Sequence, residues 1–193
     1  MRSFLFEILE TILIALAVFL IVRTSFQTVQ VQGLSMDPTL THGQYLIVNK
    51  LVYFNLSFLP NQGNVDSQDG RIPFFHDPSP GDLIVFHLSD DPERDLVKRV
   101  VGVPGDLVRI VNGFVYVNDL LLQEPYVANR GSSFLSPEII RPGHYFVLGD
   151  NRAASSDSRL LGQIPQANIA GKAWLTFWPI VNFGTLRAAS ELP

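Results

Sequence analysis

The sequence predicts a mainly β protein, built as a coiled antiparallel sheet or a partly open barrel, with one transmembrane helix at its amino terminus. Two observations predict this fold class. An apolar run occupies residues 4–22, and short strand-like runs separated by turn residues follow it without a long helical periodicity. We therefore expect an anchor over residues 1–23 and one catalytic or binding domain over residues 24–193.

The apolar run reads FLFEILETILIALAVFLIV and is interrupted by Glu7, Glu10 and Thr11. A helix of this length spans roughly 28 Å, close to the hydrocarbon thickness of a bilayer. A cleaved signal peptide would have a more basic start and a small-residue cleavage site. A buried core helix would carry a polar stripe, which residues 12–22 lack. The run therefore indicates a retained anchor, with a lipid bilayer as a partner.

The rest of the chain favours short antiparallel strands. The clearest local signal is VRIV, Asn112-Gly113, FVYV, because an Asn-Gly pair between two strand-like runs predicts a two-residue hairpin turn. A short turn is expected near Ser136-Pro137-Glu138. The other predicted strands cover residues 27–32, 45–52, 82–86, 96–103, 145–148 and 173–177.

Residues 55–80 form the least regular stretch, rich in Gly, Pro, Asn and Asp but carrying several phenylalanines. One interpretation is a surface loop pinned by its aromatic side chains. The other is a loop that touches a membrane or a partner.

Composition excludes several function classes. The chain has no cysteine, so neither disulfides nor thiolate metal sites can form. The histidines are scattered without ligand spacing, at positions 42, 76, 87 and 144, and we expect neither a metal nor a cofactor. A net charge of -4 without a basic cluster argues against nucleic acid as a partner.

Ser35 and Lys98 are the residues that could carry chemistry. Ser35 follows a predicted strand within GLSMDPTL, where a serine is usually a turn residue. Lys98 shares one strand face with Leu96 and Val100, and a lysine there is usually an edge residue whose amine reaches solvent. If Lys98 were buried, its pKa would fall and its neutral amine could accept a proton from a serine hydroxyl.

A third polar cluster is GDNRAASSDSR, residues 149–159. It could be only a salt-bridged turn, with Asp157 paired to Arg159 or Asp150 paired to Arg152. It could instead place a hydroxyl beside Lys98.

The three segments together resemble the type I signal peptidases of bacteria and organelles. GLSMDPTL is similar to the family's nucleophile motif, DLVKRVVGVPGD to its lysine motif, and GDNRAASSDSR to its third signature. PGDLIVF, VNGFVYVND, LQEPYV and GKAWLTFWP also resemble family segments, so the resemblance covers most of the chain in the family's order.

The resemblance implies a role for each site residue. Ser35 would be the nucleophile, Lys98 the general base, and Ser155 the hydroxyl that orients the lysine amine. Asp157 and Arg159 would form a supporting ion pair, with Arg99 and Asp150 as structural residues nearby. Substrates would bind as an extended strand with Ala-X-Ala before the cut, in shallow pockets lined by Val29, Val31, Met36, Leu40, Leu96 and Val97.

One position departs from part of the family. Certain relatives have a Ser or Thr two residues before the nucleophile, whose hydroxyl stabilises the oxyanion, and this chain has Gly33. The oxyanion would then be stabilised by the Ser35 backbone N–H, with the Gly33 backbone or a water.

The resemblance also implies partners and a location. The partners would be precursor proteins with signal peptides, the lipid bilayer and the secretion translocon. The catalytic domain would lie on the extracytoplasmic, periplasmic or lumenal side of a plasma or thylakoid membrane. Two alternatives stay open: a Ser-Lys peptidase that processes one narrow substrate, and an inactive, membrane-tethered β scaffold.

Overall fold

A computed structural model describes the protein over residues 2–53, 76–88 and 91–186. Most of the irregular stretch predicted over residues 55–80 lies outside the described residues, so neither interpretation of it is tested. Its last residues, 76–80, are irregular and lead into a strand.

The chain begins with a long helix, α1 (Arg2–Ser25), whose described apolar side chains are exposed. The helix predicted near the amino terminus is thus confirmed. The membrane span predicted for it is not supported, because no helix within the described residues combines the length and the apolarity that crossing a membrane requires.

The remaining described residues are mainly strands. One short helix, α2 (Ser158–Leu161), and short 3-10 segments interrupt them. The strands are β1 (Phe26–Gln30), β2 (Tyr45–Asn49), β3 (Leu83–Leu88), β4 (Asp91–Gly102), β5 (Leu107–Val111), β6 (Phe114–Val117), β7 (Leu120–Leu121), β8 (Leu135–Ile139), β9 (His144–Leu148), β10 (Ile164–Pro165), β11 (Ile169–Trp178) and β12 (Gly184–Thr185).

The strands form two antiparallel sheets. The larger has the order β1-β2-β11-β3-β4-β9-β10, with β12 beside β11, and the smaller has the order β7-β6-β5-β8. The end strands β1 and β10 of the larger sheet do not pair with each other within the described part of the chain. The prediction of a mainly β, antiparallel fold is therefore confirmed, and the described strands do not form a closed barrel.

The smaller sheet contains the predicted hairpin and two strands that the sequence did not predict, β7 and β8. Asn112 and Gly113 both have positive φ, 49° and 79°, as a type I′ turn requires. The turn expected near Ser136-Pro137-Glu138 is instead the edge strand β8. An edge strand tolerates Pro137 because a proline without an N–H can face away from its single neighbour.

Apolar side chains pack in three buried clusters. The first lies beneath β1 and β2, the second joins the two sheets, and the third lies on the other face of β3 and β4. Val97 belongs to the first cluster, while Val100 and the partly buried Leu96 belong to the third. The alternation predicted for this strand, with Leu96 and Val100 on one face and Val97 on the other, is thus confirmed.

Candidate active site

Ser35 and Lys98 meet across the larger sheet. Ser35 lies in the turn that follows β1, and Lys98 lies in β4, which three strands separate from β1 in the sheet order. Lys98 Nζ lies 2.9 Å from Ser35 Oγ and donates a hydrogen bond of 2.9 Å to the carbonyl oxygen of Val97. The sheet therefore curls enough to bring the turn after β1 into contact with β4.

The environment of Lys98 favours a neutral amine. The residue is 2% exposed, and burial lowers its pKa from the ordinary 10.5 to about 8. The charge of Asp157 opposes this decrease, Arg94 adds to it, and Asp150 opposes it. A substantial fraction of the amine is consequently neutral near pH 8 and able to accept a proton.

The residue after Lys98 holds a buried ion pair. Arg99 donates from Nε and Nη2 to the two carboxylate oxygens of Asp150, at 2.9 and 2.7 Å. Asp150 also accepts a 2.6 Å hydrogen bond from the Thr39 hydroxyl, and the Arg99 guanidinium lies 4.1 Å above the ring of Tyr126. The alternative in which Asp150 pairs with Arg152 is wrong, because Arg99 from the neighbouring strand takes both carboxylate oxygens.

Asp157 and Arg159 form the local ion pair that the sequence predicted. Arg159 Nε and Nη2 each lie 2.8 Å from an oxygen of Asp157. Asp157 also accepts from the Gly149 N–H at 3.0 Å, and its side chain caps α2. The carboxylate therefore ties the start of α2 to the end of β9, which holds the polar loop 149–159 in one shape.

Ser155 does not make the hydrogen bond expected with Lys98. Its Oγ is buried and has no hydrogen-bond partner within the described residues. A Cβ added at Gly149 would collide with Ser155 Oγ and with the Ser35 carbonyl oxygen. Gly149, which the sequence reasoning did not single out, thus lets the polar loop lie directly against the nucleophile turn.

The backbone around Ser35 is held from two sides. The Asn151 N–H donates to the Ser35 carbonyl oxygen at 3.0 Å. Gly33 has a φ of 88°, which favours glycine, and its N–H donates to His42 Nδ1 at 3.0 Å. The expectation that Gly33 offers its N–H to an oxyanion is corrected, because His42 already accepts from that group.

The six residues predicted to line the substrate pockets divide into two groups. Five are buried in the first cluster, at positions 29, 31, 36, 40 and 97, whereas Leu96 is partly buried and packs against the third cluster. The five therefore belong to one buried apolar cluster.

Sequence reasoning missed another buried carboxylate, Glu124, in the loop before β8. Arg152 and Arg130 both form ion pairs with it, the latter at 2.8 Å. Arg152 Nε also donates to the Gly149 carbonyl oxygen at 3.0 Å. Glu124 therefore connects the loop before β8 to the polar loop 149–159. Nothing local in LQEPYV signals this role, because Arg152 is 28 residues away in sequence and Arg130, six residues away, lies outside the motif.

No group of three or more His, Cys, Asp or Glu side chains suited to a metal occurs within residues 2–53, 76–88 and 91–186.

Comparisons with known proteins identify relatives over most of the chain. The family model of the signal peptidases, peptidase S26, matches residues 5–178. A signal peptidase I from Leptolyngbya laminosa is 32% identical over 190 residues, covering 94% of this chain and 84% of the relative. One from Bacillus caldolyticus is 36% identical over 172 residues and covers 82% of each chain. A probable signal peptidase I-2 from Synechocystis sp. is 33% identical over 162 residues, covering 81% of this chain and 65% of the relative.

One solved structure is also similar. It is a signal peptidase I from Enterococcus faecalis, with 29% identity and a TM-score of 0.44, covering 50% of this chain and 97% of that one. The family match extends over most of the chain, including Ser35, Lys98 and the polar loop 149–159. The chain therefore belongs to the signal peptidase family, peptidase S26, whose reaction removes signal peptides from precursor proteins.

Proposed function

We propose that this signal peptidase cuts after Ala-X-Ala type sites, with Ser35 as the nucleophile and Lys98 as the general base. The observation that carries the proposal is the 2.9 Å contact between Lys98 Nζ and Ser35 Oγ. It joins a serine hydroxyl to a buried amine whose pKa is lowered to about 8. A Ser-Lys pair is a known variant of the serine hydrolase arrangement.

Acylation follows from the hydrogen bonds of the neutral amine. Such an amine has two N–H groups and one lone pair; Val97 accepts from one N–H, and the lone pair can accept the Ser35 hydroxyl proton. As Lys98 takes that proton, Ser35 Oγ attacks the scissile carbonyl carbon. The resulting ammonium then gives the proton to the departing amine, which leaves the signal peptide as an ester on Ser35.

Deacylation reverses the same proton movements. Neutral Lys98 removes a proton from a water, and the hydroxide attacks the ester carbonyl. The ester C–O bond breaks, Lys98 returns its proton to Ser35 Oγ, and the signal peptide leaves as a carboxylic acid that loses its proton to solvent. One lysine thus serves both half-reactions, alternating between base and acid.

The oxyanion of each tetrahedral intermediate needs a donor near Ser35. We assign the Ser35 backbone N–H to this role, because the Gly33 N–H donates to His42. The hydrogen bond from the Asn151 N–H to the Ser35 carbonyl oxygen supports this assignment, since it fixes the position of the Ser35 residue.

Two strand edges support binding of the substrate as an added strand. β1 pairs only with β2, and residues 95–98 of β4 pair only with β3 within the described strands. Both edges lead to the Ser35–Lys98 pair. An extended peptide could form main-chain hydrogen bonds there, and the apolar surface of Val29, Val31 and Val97 would leave room only for small side chains.

We also propose that α1 binds a lipid bilayer and that the catalytic domain works on the extracytoplasmic side, near the secretion translocon. The exposed apolar side chains of α1 support lipid binding. The test is flotation of the full chain with phospholipid vesicles, compared with a variant that lacks residues 2–22. Equal flotation of the two proteins would remove α1 from this role.

Cleavage of a purified precursor tests the catalytic proposal. The substrates are one precursor with an Ala-X-Ala site and one with Phe in place of the final Ala. We expect wild type to cut only the first after the final Ala, and Ser35→Ala and Lys98→Ala to be folded but inactive. Lys50→Ala, at an exposed lysine, is the control that should retain activity.

Each other outcome points elsewhere. Cutting by Ser35→Ala or Lys98→Ala would exclude that residue from the chemistry. Cutting of one natural precursor but not of other Ala-X-Ala sites would favour a narrow-substrate peptidase. A wild-type chain that binds precursors and never cuts them would favour a scaffold.

A further inference from the structure

The two open strand edges form a cleft, which we define as the space between β1 and residues 95–98 of β4. The contact between Ser35 and Lys98 joins the two sides at one end. A second contact joins them farther along, where Gln27 Nε2 in β1 donates a 3.1 Å hydrogen bond to Asp95 Oδ2 in β4. Asp95 lies three residues from Lys98, so the two contacts are about 10 Å apart along the strand.

Asp95 lies opposite His87 of β3 in the antiparallel register, and His87 Nδ1 lies 2.9 Å from Asp95 Oδ1. This contact is not a hydrogen bond, because neither atom has a hydrogen-bond partner within the described residues. The side chains of His87 and Asp95 are 34% and 23% exposed, so the pair lies at the surface end of the sheet rather than within the core. The hydrogen bond from Gln27 is therefore the contact that joins β1 to β4 at Asp95.

The contact between Gln27 and Asp95 lies directly beyond the apolar part of the cleft. Gln27 and Val29 are two residues apart in β1, and Asp95 and Val97 are two residues apart in β4, so each pair shares a face. Val29 and Val97 belong to the first core cluster. The polar contact thus lies one side-chain step beyond these two members of the first cluster, farther along each strand from Ser35 and Lys98.

We propose that Gln27 and Asp95 are positioning residues that set the width of the cleft and so fix how a substrate strand lies against Ser35. The proposal deepens and rests on the proposed function, because it concerns the same substrate. Without the hydrogen bond from Gln27 to Asp95, β1 is free to move away from β4 at this end. The edge that receives the peptide is then less well ordered before binding, while the contact between Ser35 and Lys98 at the other end is retained.

The expected effect is therefore on substrate binding rather than on the chemical step. We expect Gln27→Glu, which places a second carboxylate against Asp95, to raise KM for an Ala-X-Ala precursor about 3- to 10-fold, the range for loss of one hydrogen bond. We expect kcat to stay within about twofold of wild type, because Lys98 and Ser35 are unchanged.

An isosteric exchange separates positioning from a general loss of stability. In Gln27→Glu combined with Asp95→Asn, the donor and acceptor change strands while the total side-chain length is conserved. We expect this double variant to recover the wild-type KM. Gln30→Ala, on the outward face of β1, is the matched control and should leave KM unchanged.

Each outcome bears on one proposal. If wild type cuts and Gln27→Glu has the wild-type KM, the positioning role is wrong and the proposed function stands. The role is also wrong if the double variant has the same raised KM as Gln27→Glu, since the hydrogen bond would then not be the cause. If wild type itself does not cut, the proposed function fails before the cleft is tested.

Discussion

Replacing Lys98 by methionine should stabilise the protein while abolishing its activity. Burial lowers the pKa of Lys98 from 10.5 to about 8, so the folded state favours the neutral amine. Below pH 8 the amine is charged in both the folded and the unfolded chain, and the folded state carries the full cost of burying that charge. The cost decreases as pH rises from 8 to 10.5, and above 10.5 it is absent because the amine is neutral in both states.

The size of the effect follows from the same pKa. A change from 10.5 to about 8 corresponds to about 3 kcal/mol, at roughly 1.36 kcal/mol for each pH unit. This is an upper bound for Lys98→Met, because the variant also loses the hydrogen bonds of the amine to Ser35 and to the Val97 carbonyl oxygen. We therefore expect the free energy of unfolding to rise by about 1–3 kcal/mol at pH 7.

Urea unfolding of wild type and Lys98→Met at a series of pH values from 6 to 10.5 measures this difference directly. The difference should be constant below pH 8 and should shrink between pH 8 and 10.5. Lys172→Met is the control with the opposite sign, because it leaves the buried carboxylate of Asp82, 2.6 Å from Lys172 Nζ, without its cation. A Lys98→Met variant that is less stable than wild type at pH 7, or equally stable throughout, would refute the argument.

Two further predictions concern catalysis. In wild type, kcat/KM should rise with pH to a plateau above pH 8, since only neutral Lys98 acts as a base; a flat profile between pH 5 and 9 would exclude this. In Gly149→Ala, kcat should fall at least about 100-fold, because the added Cβ collides with Ser155 Oγ and the Ser35 carbonyl oxygen and displaces the nucleophile. Wild-type kcat in that variant would show that the two segments can separate without harm.

Local sequence patterns predicted most strands well, because whether a strand or a hairpin forms depends largely on adjacent residues. The Asn112-Gly113 hairpin, for example, needs only residues that accept a positive φ between two strand-like runs. The strand β8 was missed because Pro137 and its polar neighbours are locally typical of a turn. The segment is an edge strand only because it pairs with β5 in the smaller sheet.

The residues of the site were easier to predict than the ion pairs that they form with one another. The motifs drew attention to Asp150 and Arg152, but spacing suggested that they pair with each other, whereas Arg99 binds Asp150 and Arg152 binds Glu124. These partners come from a neighbouring strand and a distant loop. Their proximity depends on how the sheets curl and pack, which a local pattern does not contain.

The arginines near Lys98 have a consequence for its charge. Asp157 and Asp150 both raise the pKa of Lys98, yet each carboxylate is bound by an arginine. Each guanidinium offsets part of the charge of the acid it binds, which allows burial to hold the pKa of Lys98 at about 8.

Removing one such arginine should therefore move the pH dependence of catalysis. In Arg159→Gln the charge of Asp157 is no longer offset, so the pKa of Lys98 should rise and the acid limb of kcat/KM should move to higher pH. In Asp157→Asn the charge that raises the pKa is gone, so the limb should move to lower pH. Unfolding curves for both variants check that each is folded at the pH of the assay. Limbs that coincide, or that move in the same direction, would mean that desolvation alone sets the charge of the lysine and that the ion pairs only hold the loop.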